Sequence, residues 1–153
     1  MHRYEAKISW SRNGEKFTDN RYSRAHQWSF DGGITVPASA SPLVVRAPLS
    51  VAEAIDPEEA LVAAASSCHM LWFLSLAAKQ GSVVESYEDE AFGVMEKNQQ
   101  GKFAISRITL RPKIQFSAEK FPSPAELDTL HRTAHEECYI ANSLKCEIVV
   151  EGS

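Results

Sequence analysis

Apolar and polar residues alternate at the start of the chain, where Tyr4, Ala6, Ile8 and Trp10 are separated by polar positions. That period of two predicts a half-buried strand, and "SRNGE" follows it with a hairpin turn. Residues 16–42 are rich in aromatics, broken by Gly32-Gly33 and closed by a Ser/Ala/Pro run, which predicts a strand, a turn and a long surface loop. The pattern changes at Asp56. Asp56 as cap, Pro57 at the first helical position, Glu59 three residues after the cap and Gly81 as a stop predict a helix of about 24 residues, roughly 36 Å long. Residues 83–97 and 102–116 then form the arms of a long hairpin around "NQQG". In the second arm Phe103 and Ile105 are in one phase while Ile108, Leu110, Ile114 and Phe116 are in the other, so a bulge near Arg107 is expected. Ser123, Pro124 and Glu126 open a second helix that should end between Tyr139 and Asn142. "KCEIVVEG" closes the chain as a strand with Cys146, Ile148 and Val150 on one face. This order of elements is that of a single α+β domain over residues 1–153.

The first helix raises the sharpest question, because residues 60–78 contain no Asp, Glu, Lys or Arg. A run of about 19 uncharged residues approaches the length of a membrane span. Ser66, Ser67, Cys68, His69 and Ser75 would then lie in the bilayer, and no Lys/Arg cluster flanks the run, so a membrane span is not expected. The alternative is a helix buried on all sides. One sheet and one other helix are too few to surround it in a chain this size, and a second copy would supply the missing wall as a homodimer. Composition adds that 44% of residues are hydrophobic and 24% charged, with a net charge of −4. Such a chain buries a real core and carries no basic footprint for nucleic acid.

The N-terminus enters the strand pattern without a charged segment followed by an apolar one, so a cytoplasmic location is expected. Cys68, Cys138 and Cys146 are odd in number and widely spaced, which argues against a disulfide framework and for reduced thiols. Cys68 reads either as a small buried hydrophobe or as a reactive thiol. Reactivity in mid-helix requires a cation from elsewhere in the fold, since the helix dipole acts only on the first turn. His69 projects about 100° away around the helix and is a poor base for its neighbour. His131, His135 and Cys138 share one helix face and are donor types a transition metal accepts, although no fourth ligand is evident. Cys146 reads as packing. Leu71, Trp72 and Phe73 read as core or as walls of an apolar pocket.

At "DPEEALVAAASSCHM", paired with "AHEECYIANSLK" some seventy residues later, the chain resembles the OsmC/Ohr family, named for osmotically inducible protein C and organic hydroperoxide resistance protein. The matching positions are Asp56, Pro57, Glu58, Glu59, Cys68 and Cys138. The region "YSRAHQWSFDGGITVPASASP" looks like that of an OsmC-like subgroup. The resemblance implies an OsmC-like fold, with antiparallel sheets around a long buried central helix in an intertwined homodimer. It also implies a peroxidase without cofactor or metal that reduces organic hydroperoxides and is recycled by a dithiol reductant. Carried over residue by residue, Cys68 is peroxidatic, Cys138 is resolving and Glu58 is the site carboxylate. The accompanying Arg, which favours the Cys68 thiolate and binds the peroxide oxygens, falls on Arg24, with Arg46 as the other candidate. Glu58 and Cys68 are ten residues apart on one helix, about 15 Å along its axis, so a Glu58 serving Cys68 is expected to come from the partner subunit. The different reading to set beside this is a non-catalytic domain of the same fold that binds a small apolar ligand, or a His/Cys metal-binding protein.

Overall fold

The computed structural model describes residues 1–152 and divides them into two compact units, Met1–Ala60 and the residues from Leu61 onward. The first unit holds a three-stranded antiparallel sheet of β1 (Ala6–Ser9), β2 (His26–Phe30) and β3 (Thr35–Ala38), in that order. Ile8 pairs with Trp28 and Trp28 with Val36, so an apolar row crosses all three strands. The β2–β3 turn needs Gly33, whose φ of 92° is open to glycine at no steric cost.

The hairpin expected at "SRNGE" is only half present. Asn13 and Gly14 do turn the chain with positive φ, yet no strand follows, because the partner of β1 is β2, seventeen positions on from Ser9 at its first residue. The intervening segment folds on its own aromatics instead. The Phe17 and Tyr22 rings stack at 4.6 Å, and both pack against Trp10, at 5.9 and 5.5 Å. The Trp10 indole N–H donates to the Ser23 carbonyl at 2.8 Å. Aromatic contact replaces ladder hydrogen bonding as what orders this stretch.

Helix α1 (Pro57–Lys79) begins in the first unit and runs into the second. Its N-terminus is the expected capping box. Glu59 N–H donates to Asp56 Oδ1 at 2.8 Å and Asp56 N–H to Glu59 Oε1 at 3.3 Å. In the second unit the long hairpin is present but splits into two ladders. β4 (Val84–Asp89) pairs with β7 (Pro112–Phe116), and β5 (Phe92–Lys97) with β6 (Phe103–Leu110). The split occurs where Asp89 accepts the Arg111 N–H at 2.6 Å and the Arg111 side chain donates to the Glu90 carbonyl. The bulge is where the phase change put it. Val94 faces Arg107 while Met95 faces Ile105, leaving Ser106 as the extra residue.

Helix α2 (Pro124–Glu137) starts on Ser123, whose Oγ accepts the Glu126 N–H at 3.2 Å. It stops slightly earlier than expected, at Glu137, and a 3₁₀ turn at Ala141–Ser143 follows. The last strand, β8 (Glu147–Val150), pairs with β6 in parallel, so the β5-β6-β8 sheet is mixed.

Two apolar clusters hold the second unit. Phe73 and Ala77 of α1 pack with Leu130 and Ala134 of α2, against Tyr87, Ile114 and Phe116 of the β4–β7 ladder. Ala65 packs with Ile108 and Leu110, over Ile148 and Val150. A glycine at position 93 lets β5 approach α1 closely, since a Cβ there would lie 2.9 Å from Val62 Cγ2. Within the chain α1 is buried along one stripe only, Ala65, His69, Phe73 and Ala77. Its opposite side, with Ala63, Ala64, Ser67, Leu71 and Ser75, is uncharged and exposed. By length and composition α1 is long and apolar enough to cross a bilayer, but its buried stripe is committed to α2 and the strands.

Candidate active site

The two cysteines paired by the sequence motif meet in the second unit. Cys68 lies in the middle of α1 and is half-buried, while Cys138 ends α2 and is only 1% exposed. Cys138 leaves the helix with extended backbone, φ −63° and ψ 114°, and its N–H donates to the His135 carbonyl at 3.4 Å. The following 3₁₀ turn aims the Ala141 N–H at Cys138 Sγ, 3.4 Å away. Cys68 lies close enough to the Cys138 thiol to raise it, and both are reduced. Burial pushes the Cys138 thiol up, and the adjoining Cys68 adds to that, while the N–H groups of Ala141 and Ile140 work against it. Two thiols seventy residues apart in sequence thus share one spot at the seam of two helices.

A second contact crosses the same seam. His69 Nε2 lies 3.0 Å from His131 Nδ1, with the rings nearly parallel at 5.3 Å. Phe73 closes over His131 at 4.6 Å. Burial, and then repulsion from His131 and His135, hold His69 at about 4 against its ordinary 6.5, with Asp89 pulling weakly the other way. Burial also lowers His131, opposed by Asp128. The pair is therefore neutral at pH 7 and shares one proton between the facing nitrogens. His69 Nδ1, His131 Nε2 and His135 Nδ1 are buried with no hydrogen-bond partner among the described residues. Beside them Asp89 accepts the Ser66 hydroxyl, tying α1 to the end of β4, and the buried Tyr87 hydroxyl is pushed up by its lack of solvent.

The first unit holds the remaining residues singled out from sequence. One carboxylate oxygen of Glu58 is buried and unpartnered among the described residues. Arg24 is half-buried and gives its guanidinium to the main-chain carbonyls of Asn20 and Tyr22 and to the Asn20 side chain, stacked 3.7 Å over the Tyr22 ring. Arg46 is exposed. Arg24 also lines an open cavity of about 490 Å³ with Ile8, Trp10, Phe17, Tyr22 and His26. Of the three residues expected either as core or as pocket wall, Phe73 is core, Trp72 lies edge-on to Tyr139 at 5.6 Å and Leu71 is exposed.

The structure adds no arranged ligand set to the metal alternative. His131 turns toward His69, and among the described residues no group of three His, Cys, Asp or Glu is arranged to hold an ion. The His69–His131 pair is what sequence reasoning missed. Its signal was present, because His69 falls on the stripe Ala65, Phe73, Ala77 and His131 beside Leu130 and Ala134. A histidine on each of two buried stripes calls for a partner.

A reduced dithiol at the meeting of two helices, backed by short ladders, defines a dithiol protein of the α+β class. The sequence pattern of OsmC-like proteins matches residues 50–153, and the chain belongs to that family. It is 53% identical, over 99% of both chains and with a TM-score of 0.96, to an OsmC-like protein of unknown function from Vibrio cholerae. The fold is shared with an organic hydroperoxide resistance protein OsmC from Legionella pneumophila, at 17% identity, TM-score 0.69 and coverage of 99% and 95% of the two chains. It is also shared with the organic hydroperoxide resistance protein OhrB of Bacillus subtilis, at 18% identity, TM-score 0.64 and coverage of 97% of each chain. No curated protein matches the chain.

Proposed function

We propose that this protein is a cytoplasmic, homodimeric thiol peroxidase, a single OsmC-like domain that reduces organic hydroperoxides. The observation that carries the reading is the nearness of two reduced thiols, since Cys68 lies close enough to raise the buried Cys138. A thiolate at Cys68 displaces alkoxide from the O–O bond and becomes a sulfenic acid. Cys138, already adjacent, closes the disulfide and releases water before further oxidation can make the damage irreversible. A dithiol reductant restores both thiols by exchange.

In this reading Glu58 and Arg24 serve the Cys68 of the partner subunit. The unpartnered carboxylate oxygen of Glu58 supports it, because a buried carboxylate oxygen needs a donor and a guanidinium is the best one. The exposed, uncharged side of α1 supports the second copy. No metal or cofactor enters the cycle. Reduced protein mixed with cumene hydroperoxide should lose two thiols per chain, and the Cys68→Ser variant none. An unchanged thiol count in the wild type would end the peroxidase reading. It would leave the second reading, a small-ligand-binding domain, which rests on the aromatic-lined cavity of the first unit.

A further inference from the structure

The closing of the disulfide presents a problem that the two cysteines do not solve. Cys138 must attack as a thiolate, yet it sits almost wholly out of water and its proton has to go somewhere. Solvent is not at hand, and the two N–H groups directed at its sulfur and backbone region are donors, not acceptors.

Along α2, His131, His135 and Cys138 occupy one row, four and then three residues apart, and that row faces α1. His131 is engaged with His69, and Cys138 with Cys68. His135 lies between them, one turn before Cys138, where side chains three apart on a helix are about 5–6 Å apart at Cβ. Across the seam, a charge on His135 works against one on His69. His135 Nδ1 is buried and has no partner among the described residues. No metal-holding group forms there. An imidazole nitrogen left unpaired one helical turn from a buried thiol that must ionise is an acceptor for its proton.

We propose that His135 takes the proton of the Cys138 thiol as Cys138 closes the disulfide with Cys68. The inference rests on the peroxidase reading for its oxidant, an organic hydroperoxide. In the step itself the Cys138 proton passes to His135, the new S–S bond forms and the S–O bond of the Cys68 sulfenic acid breaks. The departing hydroxide takes the proton back from His135 and leaves as water, so the imidazole ends neutral. The ionisable groups that the seam brings to this row are His69 and Cys68 from α1 and His131 and Cys138 from α2 itself, with Asp89 of β4 acting on His69. The His69–His131 pair, kept neutral by burial, places no positive charge beside a base that must accept one.

The test separates formation of the sulfenic acid from its resolution. Reduced wild type, His135→Gln and His135→Ala are mixed with cumene hydroperoxide, and sulfenic acid (trapped with dimedone) and disulfide (by mass) are followed in time. Expected is sulfenic acid at the wild-type rate in both variants, with disulfide closure about 10²-fold slower. The rate in the variants should climb with pH as the bare thiol ionises, and added imidazole should restore the His135→Ala rate. A purely structural role would give no imidazole rescue and no change of pH profile, and closure at wild-type rate in both variants would overturn the proposal outright. A parallel arm uses diamide, which drives the same disulfide without peroxide. If the wild type ignores hydroperoxide but the diamide reaction still depends on His135, the peroxidase reading fails and the role of His135 stands.

Discussion

Acid forces a charge onto the seam between α1 and α2, and the His69–His131 contact sets how much that costs. Well above pH 6.5 neither the folded nor the unfolded chain protonates His69, and its contribution to stability is complete. As the pH falls from there, the unfolded chain takes up the proton at the ordinary 6.5, while the folded chain resists until about 4. Stability is therefore lost progressively across that window and the loss is complete below it. The gap converts to about 3 kcal/mol, a large share of the 5–15 kcal/mol typical of a domain. Burial lowers His131 as well, so its loss has the same sign. Carboxylates titrate over part of the range, and the difference between two proteins removes them. His69→Gln places a carboxamide near the Nε2 position, keeps a hydrogen bond to His131 and does not titrate. Urea unfolding of both proteins, at fixed protein concentration with thiols kept reduced, should be run between about pH 7.5 and about pH 4.5. Wild type should lose about 2.5 kcal/mol more than His69→Gln across it, the remainder falling below about pH 4.5. Parallel curves would show that the folded chain admits the His69 proton freely, and the buried neutral pair would be wrong.

Two further outcomes follow from packing and exposure. Gly93→Ala should destabilise the protein by about 1–3 kcal/mol in urea or thermal unfolding, because its Cβ would meet Val62 Cγ2 at 2.9 Å and Ile105 Cγ2 at 3.4 Å; an unchanged midpoint would mean that β5 and α1 have room to part. Limiting iodoacetamide on the reduced native protein should label Cys68 well before Cys138, as peptide mass mapping would show, because Cys138 is 1% exposed and its thiol is pushed up by burial; equal labelling would contradict the closed C-terminal end of α2.

What the sequence made legible is mostly local chemistry. The Asp56–Glu59 capping box and the Ser123 cap on Glu126 N–H are each made within four residues and need nothing distant. The bulge was readable because a slip of one residue must shift the apolar phase, and Phe103 and Ile105 against Ile108 and Leu110 record that slip. Long-range choices were not readable in the same way. The parallel seat of β8 on β6 depends on where the chain emerges after α2, and the pairing of β1 with β2 depends on what Trp10, Phe17 and Tyr22 do together. The meeting of Cys68 with Cys138 came from the family resemblance, not from spacing. The pairing of His69 with His131 across 62 residues was the one part of the site whose sequence signal, a polar residue on each of two buried stripes, went unread.

The edge-on contact of Trp72 with Tyr139 has a use beyond packing. Tyr139 directly follows Cys138, so any strain the chain takes up when Cys138 moves onto Cys68 is passed to a ring already touching an indole on α1. If Cys138 is drawn onto Cys68, the change should reach the environment of the Trp72 indole, so tryptophan emission followed during oxidation would report it from α1.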